Sequence, residues 1–216
     1  MRLTVRTCVR TVLKTNLERM WMHEMNQWEI NGGVLEYIDE THTYLFDGVV
    51  VPSVTQLLQK KFGNKYDGIP KAVLERAAER GTALHKAIED YEQQGIETDL
   101  VELHNWIALK VEHDIHVTGN ELPLVLLKDG QAVAAGRCDL FLAKQGVFGL
   151  GDIKRTYRLD RQYLTYQLNL YRVAFMQCYG VPIDFLRGIH LREEISKCVE
   201  IPIDESLVNE ILNMEE

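Results

Sequence analysis

The sequence predicts a mixed α/β fold, with a central β-sheet flanked by helices. Short runs rich in apolar, β-branched and aromatic residues alternate along the chain with amphipathic helical segments. Two of these runs, 136–143 and 147–154, lie on either side of a short connection that contains Gly146. At 216 residues and 46% hydrophobic content, the chain is long and apolar enough for one domain with a substantial core.

The chain is predicted to begin with an extension over residues 1–30, helical or mobile, followed by a single domain over 31–216. Residues 1–17 contain Arg2, Arg6, Arg10 and Lys14 but no acid, so a basic helix or a transit peptide is conceivable there. Serine is absent from this stretch, which disfavours a transit peptide.

A hairpin followed by a helix is predicted between residues 36 and 59. The runs 41–46 and 49–51 flank Asp47-Gly48, a strong signal for a two-residue turn. Pro52 ends the second strand, and Ser53 with Gln56 has the form of a capping box that begins a helix.

Further elements follow from hydrophobic periodicity and capping residues. We expect a helix that is broken or pinched at Gly81, and a last helix with Asp204 as its N-cap. The predicted helices are 71–94, 99–111, 164–179 and 204–214, and the predicted strands outside the hairpins are 121–127, 187–191 and 197–201.

The hairpin around Gly146 carries the charged residues of greatest interest. If Gln145 and Gly146 form a two-residue loop, Asp139 lies directly opposite Asp152, on the same face of the sheet as Lys154. Two carboxylates about 5 Å apart at their Cβ atoms repel each other. A shared cation removes that repulsion, and hard oxygen ligands suit Mg²⁺ or Mn²⁺. A register slip of one residue would move one acid to the other face.

Four short motifs in the chain together resemble the PD-(D/E)XK nuclease superfamily, in its RecB-like exonuclease branch of phage and mitochondrial genome-maintenance type. They are Gly81–His85 (G-x-x-x-H), Gly136–Asp139, then Asp152–Lys154 thirteen residues after Asp139, and Gln167–Tyr171 (Q-x-x-x-Y). Each motif alone is common, whereas the ordered set is much more specific. The resemblance covers roughly residues 35–200 and implies a restriction-endonuclease-like core.

The resemblance implies a role for each motif residue. Asp139, Asp152 and the Ile153 carbonyl, with His85 and Glu121, are expected to hold one or two Mg²⁺ or Mn²⁺ ions. Lys154 is expected to orient the attacking water. Gln167 is expected to hold Lys154 or the scissile phosphate, and Tyr171 to contact DNA or support that arrangement. The implied activity is hydrolysis of DNA to 5′-phosphate products, most simply from an end, in recombination, replication or repair.

The net charge of −8 means that the general field of the protein does not attract DNA, so contact needs local basic groups and the metal. One basic segment follows Asp152 in the sequence, and Asp160 is its single acid. Its basic residues are Lys154, Arg155, Arg158, Arg161 and Arg172. We expect Arg155, Arg158 and Arg161, together with Arg137 of the Gly136–Asp139 motif, to contact DNA.

Other readings remain open from the sequence. The chain could be a structure-specific endonuclease, a nucleic-acid-binding subunit that keeps the fold without the chemistry, or a hydrolase of small phosphoesters. A second metal site at 112–116, which contains two histidines and two acids, is disfavoured because such short clusters are mostly solvated. Expected partners are linear duplex or single-stranded DNA ends, and a second copy of the chain or a recombination protein.

The four cysteines, at positions 8, 138, 178 and 198, form no C-x-x-C pair. This argues against zinc, a disulfide framework and the iron–sulfur cluster that some RecB-like nucleases carry. No apolar run approaches the ~18 residues of a membrane span. The expected location is therefore the reducing cytoplasm of a bacterial or phage-infected cell, with a mitochondrial setting disfavoured.

Overall fold

The computed structural model describes residues 26–64 and 67–214. Within these residues it contains nine strands and five helices. The strands are β1 (Gln27–Ile30), β2 (Gly33–Ile38), β3 (Thr43–Phe46), β4 (Val49–Val51), β5 (His116–Lys128), β6 (Gln131–Lys144), β7 (Val147–Lys154), β8 (Phe185–Arg192) and β9 (Ile195–Ile201). The helices are α1 (Val54–Phe62), α2 (Lys71–Gln94), α3 (Val101–His113), α4 (Arg161–Tyr179) and α5 (Glu205–Leu212).

The larger sheet contains five strands in the order β5-β6-β7-β8-β9. All neighbours are antiparallel except β7 and β8, which are parallel and are joined through α4. A parallel pair needs such a crossover, because the chain must return to the starting edge of the sheet. The mixed sheet confirms the predicted α/β class.

Helices cover both faces of this sheet. On one face α1, α4 and α5 contribute to a core that includes Phe141 and Phe175, whose rings lie 4.8 Å apart. On the other face α2 and α3 bury Leu84 and Trp106 against the sheet. Because both faces are covered, the middle strands are apolar on both sides and are held firmly by packing.

A smaller four-stranded sheet, in the order β1-β2-β3-β4, packs beside β5 and β6 through a separate core that includes Leu35 and Val125. The expected boundary of the extension at residue 30 is wrong at its end, since residues 27–30 form β1 and pair with β2. β1 is a strand because β2 pairs with it across a turn, and the polar residues of β1 gave no sign of that pairing. The expectation for residues 1–25 lies outside the described residues.

The predicted hairpin of β6 and β7 is confirmed, and so is its register. Lys144 pairs with Val147 across a two-residue turn, and the ladder continues to Leu140 opposite Gly151. Gln145 and Gly146 both have positive φ, 49° and 87°, as a type I′ turn requires. The ladder ends at that pair, so Asp139 opposite Asp152, one step farther out, stays a prediction.

The other predicted elements are present with shifts of a few residues at their ends. The capping box of α1 is complete, with Gln56 N donating to Ser53 Oγ and Ser53 N donating to Gln56 Oε1. Asp204 is the N-cap of α5, as predicted. The expected break at Gly81 is wrong, because α2 is continuous from Lys71 to Gln94. A single glycine weakens a helix without ending it when the turns on both sides are intact.

The described helices include none that is long and apolar enough to cross a membrane. Three of the cysteines, Cys138, Cys178 and Cys198, lie in the described part of the chain, and all three are free thiols.

Replacing Ser53 by alanine removes one half of the capping box, leaving the backbone N–H of Gln56 without its acceptor. We expect Ser53→Ala to lower the free energy of unfolding by about 1 kcal/mol, measured by urea denaturation. The exposed neighbour Thr55 is the control: Thr55→Ala should stay within about 0.5 kcal/mol of the original protein. Equal stability of the two variants would contradict the assigned cap.

Candidate active site

The candidate site lies where β6 and β7 stop pairing with each other. The last pair is Leu140 with Gly151, and beyond it β7 remains paired only with β8. At this fork the Asp139 carboxylate replaces the missing backbone acceptor: Ile153 N donates to Asp139 Oδ2 over 2.6 Å. The N–H and the C=O of a strand residue point to the same side of the strand. The Ile153 carbonyl therefore also faces the fork, beyond the last hydrogen-bonded pair of β6 and β7.

Three carboxylates lie in a row across neighbouring strands at this fork. The β5–β6 register, with Asn120 opposite Leu140 and Leu122 opposite Cys138, puts Glu121 opposite Asp139. Asp139 on β6 and Asp152 on β7 each lie one residue beyond the last pair of their ladder. Of the three acids, Glu121 and Asp139 bring ligand atoms together with His85, and Asp152 is not a member of that group. The strand predicted to begin at Glu121 in fact begins at His116, which makes Glu121 internal.

Glu121 has an unusual backbone for a residue inside a strand, with φ of 49° in the left-handed region. This conformation costs a residue with a Cβ of the order of 1–3 kcal/mol. The β5–β6 register is the same on both sides of this residue, with Asn120 opposite Leu140 and Leu122 opposite Cys138, so the distortion is local to Glu121. The strained residue is thus one whose carboxylate belongs to the candidate site.

His85 of α2 joins the row from the face of the sheet that α2 covers. Its Nδ1 lies 3.2 Å from Glu121 Oε1, and its Nε2 lies 3.3 Å from the Ile153 carbonyl oxygen and 3.8 Å from Asp139 Oδ2. One ligand atom from each of His85, Glu121 and Asp139 falls within a group whose atoms lie within 4.8 Å of one another. The structure thus brings the predicted ligand His85 to the predicted acids.

Asp152 is the most buried of the acids, with 1% of its side chain exposed. Lys154 Nζ forms an ion pair with Asp152 Oδ2 at 2.5 Å. Neither oxygen of this carboxylate has a hydrogen bond of good geometry within the described ranges. A buried carboxylate with unused lone pairs is costly unless a further positive group completes its shell.

The pKa values of these groups reflect their crowding. Burial raises the pKa of Asp152 to about 6, against the opposing effect of Lys154 and with a contribution from Asp139. Burial also raises the pKa of Asp139, although His85 acts against it. For His85, burial alone lowers the pKa, but the Asp139 and Glu121 carboxylates outweigh it and raise the pKa to about 9. Positive charge at this point is therefore strongly favoured.

The donor set fits a divalent cation of the hard type. It offers carboxylate oxygens from Glu121 and Asp139 and one imidazole nitrogen from His85, with the Ile153 carbonyl oxygen 3.3 Å from that imidazole. The predicted ligand Asp152 is not a member of this group and is paired with Lys154. Oxygen ligands suit Mg²⁺ and Mn²⁺, and Mn²⁺ accepts the nitrogen more readily. The carboxylate oxygens of Glu121 and Asp139 are the atoms whose repulsion a cation would relieve.

The two predicted residues of α4 lie below the site. Gln167 Nε2 donates to the Tyr171 hydroxyl at 3.4 Å, and Gln167 Oε1 is buried with no partner in the described structure. Burial raises the pKa of Tyr171 well above its usual range, so its hydroxyl stays protonated. A Cβ on Gly136 would lie 3.0 Å from Tyr171 Cε1. The absence of a side chain at Gly136 therefore lets the Tyr171 ring approach β6.

The predicted basic segment does not act as a unit. Arg155 is held by two carboxylates, with Nε 2.7 Å from Glu102 and an NH2 group 2.5 Å from Glu193. Arg172 pairs with Glu205 and donates to the Ile183 carbonyl. Arg158 and Arg161 are exposed. The sequence could not reveal the acids that neutralise Arg155 and Arg172, because they come from distant elements.

Arg137 connects the site to the smaller sheet. Its Nε lies 3.8 Å from Glu121 Oε2, and its guanidinium carbon lies 4.9 Å from the centre of the Tyr37 ring. Tyr37 packs on Tyr44 with ring centres 4.7 Å apart. Arg137 was predicted to contact DNA, which stays a prediction. Sequence analysis missed the contribution of Tyr37, since no local signal places β2 beside β5 and β6.

The disfavoured second cluster at 112–116 brings together only a surface pair in the structure. His116 Nε2 lies 3.5 Å from Asp114 Oδ1, and both side chains are mostly exposed. Among the described residues, the group that could hold a metal is the one formed by His85, Glu121 and Asp139.

Comparison with known proteins gives little beyond this geometry. No family model and no curated protein matches the chain. Among solved structures the chain is similar to SSO0001, with 16% sequence identity and a TM-score of 0.40 over 94% of this chain and 84% of that one.

Removing the Asp139 carboxylate should weaken metal binding without lowering the stability of the metal-free protein. Because its raised pKa shows that the charged form of Asp139 is disfavoured, Asp139→Asn should be as stable as the original protein, or more stable, in EDTA. With Mn²⁺ at about 100 times its Kd, the original protein should gain about 2.7 kcal/mol, and the variant should gain much less. Thermal unfolding with and without Mn²⁺ measures both.

The matched control is Asp114→Asn, which removes an exposed carboxylate at the C-terminal end of α3. It should keep the full Mn²⁺ effect. If stabilisation by Mn²⁺ is lost in Asp114→Asn and kept in Asp139→Asn, the ion binds at the 112–116 cluster and the assigned site is wrong.

Proposed function

We propose that this chain is a metal-dependent deoxyribonuclease that hydrolyses phosphodiester bonds, and most simply an exonuclease. The observation that carries the proposal is the group formed by His85, Glu121 and Asp139, at the fork where Asp152 forms its ion pair with Lys154. A fold gains nothing from crowding buried carboxylates in this way unless a cation binds between them.

The four sequence motifs support membership of the PD-(D/E)XK superfamily, in its RecB-like branch. The motifs are spread over more than eighty residues of the chain. Two contacts between them support the proposal: His85 of α2 lies 3.8 Å from Asp139 Oδ2, and the Tyr171 ring of α4 packs against Gly136. Contact in space is a stricter condition than order in the sequence, because each element must present the correct face.

When bound, one or two Mg²⁺ or Mn²⁺ ions would neutralise the phosphate, polarise it and lower the pKa of a bound water. Asp139 and Asp152 are the central ligands, and the Ile153 carbonyl, His85 and Glu121 complete the set. His85 also keeps Glu121 in place through their contact at 3.2 Å.

Lys154 provides the positive charge that the protein itself directs at the reaction. Burial acts to lower the pKa of Lys154, but the Asp152 and Asp139 carboxylates together outweigh it and raise the pKa, so the side chain stays an ammonium group. An ammonium held in place by Asp152 can orient the attacking water and stabilise the charge that develops on the phosphate. The water oxygen bonds to phosphorus, the bond to the 3′ oxygen breaks, and the product keeps the 5′ phosphate, as in the related nucleases.

DNA fits this site better than a small phosphoester because exposed basic residues continue beyond it. Arg158 and Arg161 follow Lys154 in the chain and are exposed, whereas Arg155 is held by Glu102 and Glu193. We therefore assign phosphate contacts to Arg158 and Arg161 in the first place. The free thiols of the described cysteines are compatible with a reducing cytoplasm, and a recombination protein or a second copy of the chain are the partners that we propose.

The direct test compares linear with covalently closed circular DNA in the presence of Mg²⁺. We expect the original protein to degrade linear DNA and leave circles intact, with no degradation in EDTA. Cutting of circles would instead indicate an endonuclease. Binding without any cleavage, in both Mg²⁺ and Mn²⁺, would reject the enzyme and favour a nucleic-acid-binding subunit.

Lys154→Met keeps the length of the side chain and removes its charge. We expect it to lower the cleavage rate by roughly 10²-fold or more while the protein still binds Mn²⁺ in thermal unfolding. The control is Lys144→Met in the same hairpin, five residues from Asp139, or about 17 Å along the strand. The Lys144 side chain donates to the His113 carbonyl, and its loss should leave the cleavage rate unchanged. Normal cleavage by Lys154→Met would disprove the assigned role.

His85→Ala should raise the metal concentration needed for half-maximal cleavage without a matching loss of rate at saturation. Because a nitrogen ligand favours Mn²⁺ over Mg²⁺, the shift should be larger for Mn²⁺. Metal titrations of the initial cleavage rate measure it. Identical curves for the variant and the original protein would remove His85 from the ligand set.

A further inference from the structure

A side chain that neither the core nor the metal site explains lies three residues after Lys154. Tyr157 is 81% exposed, more than the other described aromatic residues, which contribute to cores or ring clusters. The Arg192 guanidinium carbon lies over its ring, 5.5 Å from the centre. We call Tyr157 and Arg192 the stacking pair.

The loop that carries Tyr157 is held at several points. His190 is 5% exposed, and its Nε2 lies 2.7 Å from the Thr156 carbonyl oxygen, a distance at which it donates a hydrogen bond. Thr156 Oγ1 donates to the Arg158 carbonyl at 2.8 Å. Arg155 is fixed by Glu102 and Glu193. A loop restrained on both sides of Tyr157 holds its ring at the surface at little entropic cost on binding.

The sheet places the stacking pair beside the candidate active site. Lys154 pairs with His190 across the parallel strands β7 and β8, so the two side chains project to the same face. Arg192 is two residues farther along β8 and has the same direction, about 7 Å beyond His190. The stacking pair and Lys154 therefore lie at the same end and on the same face of the sheet.

We propose that the stacking pair binds an unpaired nucleobase of the DNA substrate. This inference rests on the proposed function, in which DNA is the substrate. A tyrosine ring offers a π-face to any base, and an arginine beside it adds cation–π attraction and positive charge. A base stacked there must be out of a duplex, so the pair selects single-stranded DNA or a frayed end. The exposed Arg158 next to Tyr157 supplies charge for the adjoining phosphate.

Binding is tested without cleavage, by fluorescence anisotropy of labelled oligo(dT) in EDTA. Tyr157→Ala should raise the Kd about tenfold, within the range known for loss of one stacked base. Tyr157→Phe keeps the ring and should bind like the original protein. Lys144→Ala, which removes a positive charge at the far end of the hairpin, is the control for general electrostatics. Since Tyr157 is exposed, the alanine variant should unfold at the original temperature.

A second probe asks whether a base is what the ring contacts. Replacing the oligonucleotide by an abasic strand of equal length and charge should weaken binding to the original protein and to Tyr157→Phe. It should make little difference to Tyr157→Ala, which has already lost the stack. A role for Tyr157 in loop structure alone would lower the affinity for both strands equally.

The proposal is overturned if the original protein does not bind oligo(dT), if Tyr157→Ala binds as tightly as the original, if Tyr157→Phe fails to restore binding, or if the abasic strand binds equally well. These results are separate from the cleavage assay. A protein that binds through Tyr157 without cutting DNA loses the nuclease assignment and keeps the stacking pair. A protein that cuts DNA with Tyr157 irrelevant keeps the nuclease and loses the stacking pair.

Discussion

Mutual repulsion among three carboxylates is the constraint around which this structure is organised. Glu121, Asp139 and Asp152 occupy neighbouring strands at one level of the sheet, where burial makes each charge expensive. The protein offsets part of that cost with Lys154, with the Ile153 amide and with His85. The compensation is incomplete, since the Asp152 oxygens lack well-formed hydrogen bonds among the described residues. What remains is a strong preference for added positive charge.

Such a site can persist only on a rigid support, and the two-sided core provides it. The hairpin of β6 and β7 is fixed by apolar packing on both faces, so the acids cannot relax apart by bending the strands. Separation of the strands beyond Leu140 and Gly151 opens a gap without disturbing that packing. The His85 imidazole of α2 enters this gap, and on the other face the Tyr171 ring of α4 packs against Gly136 of β6. Stability is concentrated in the packed hairpin, and reactivity where its strands part.

Much of this arrangement could be predicted from local sequence, and the reasons are specific. The Gln145-Gly146 turn predicted the register of β6 with β7, and the observed pairs from Lys144–Val147 to Leu140–Gly151 have that register. The failures involve information that is not local. Residues 27–30 form a strand only because β2 folds back on them, and the acids that neutralise Arg155 lie 53 and 38 positions away in the chain. The left-handed backbone of Glu121 had no sequence signal, because a glutamate rarely adopts it. Long-range partners and backbone strain are the two kinds of fact that residue patterns leave out.

The tight turn between β6 and β7 makes the protein tolerant of one kind of sequence change and intolerant of another. Its two residues are exposed, and substitutions that permit the same backbone leave the strands as they are. The length of the connection is a different matter, because a single inserted or deleted residue would shift one strand against the other and exchange its inward and outward sides. Natural variation at this tip should therefore be free in composition and fixed in residue count, which makes loop length a marker that can be read directly from the sequences of relatives.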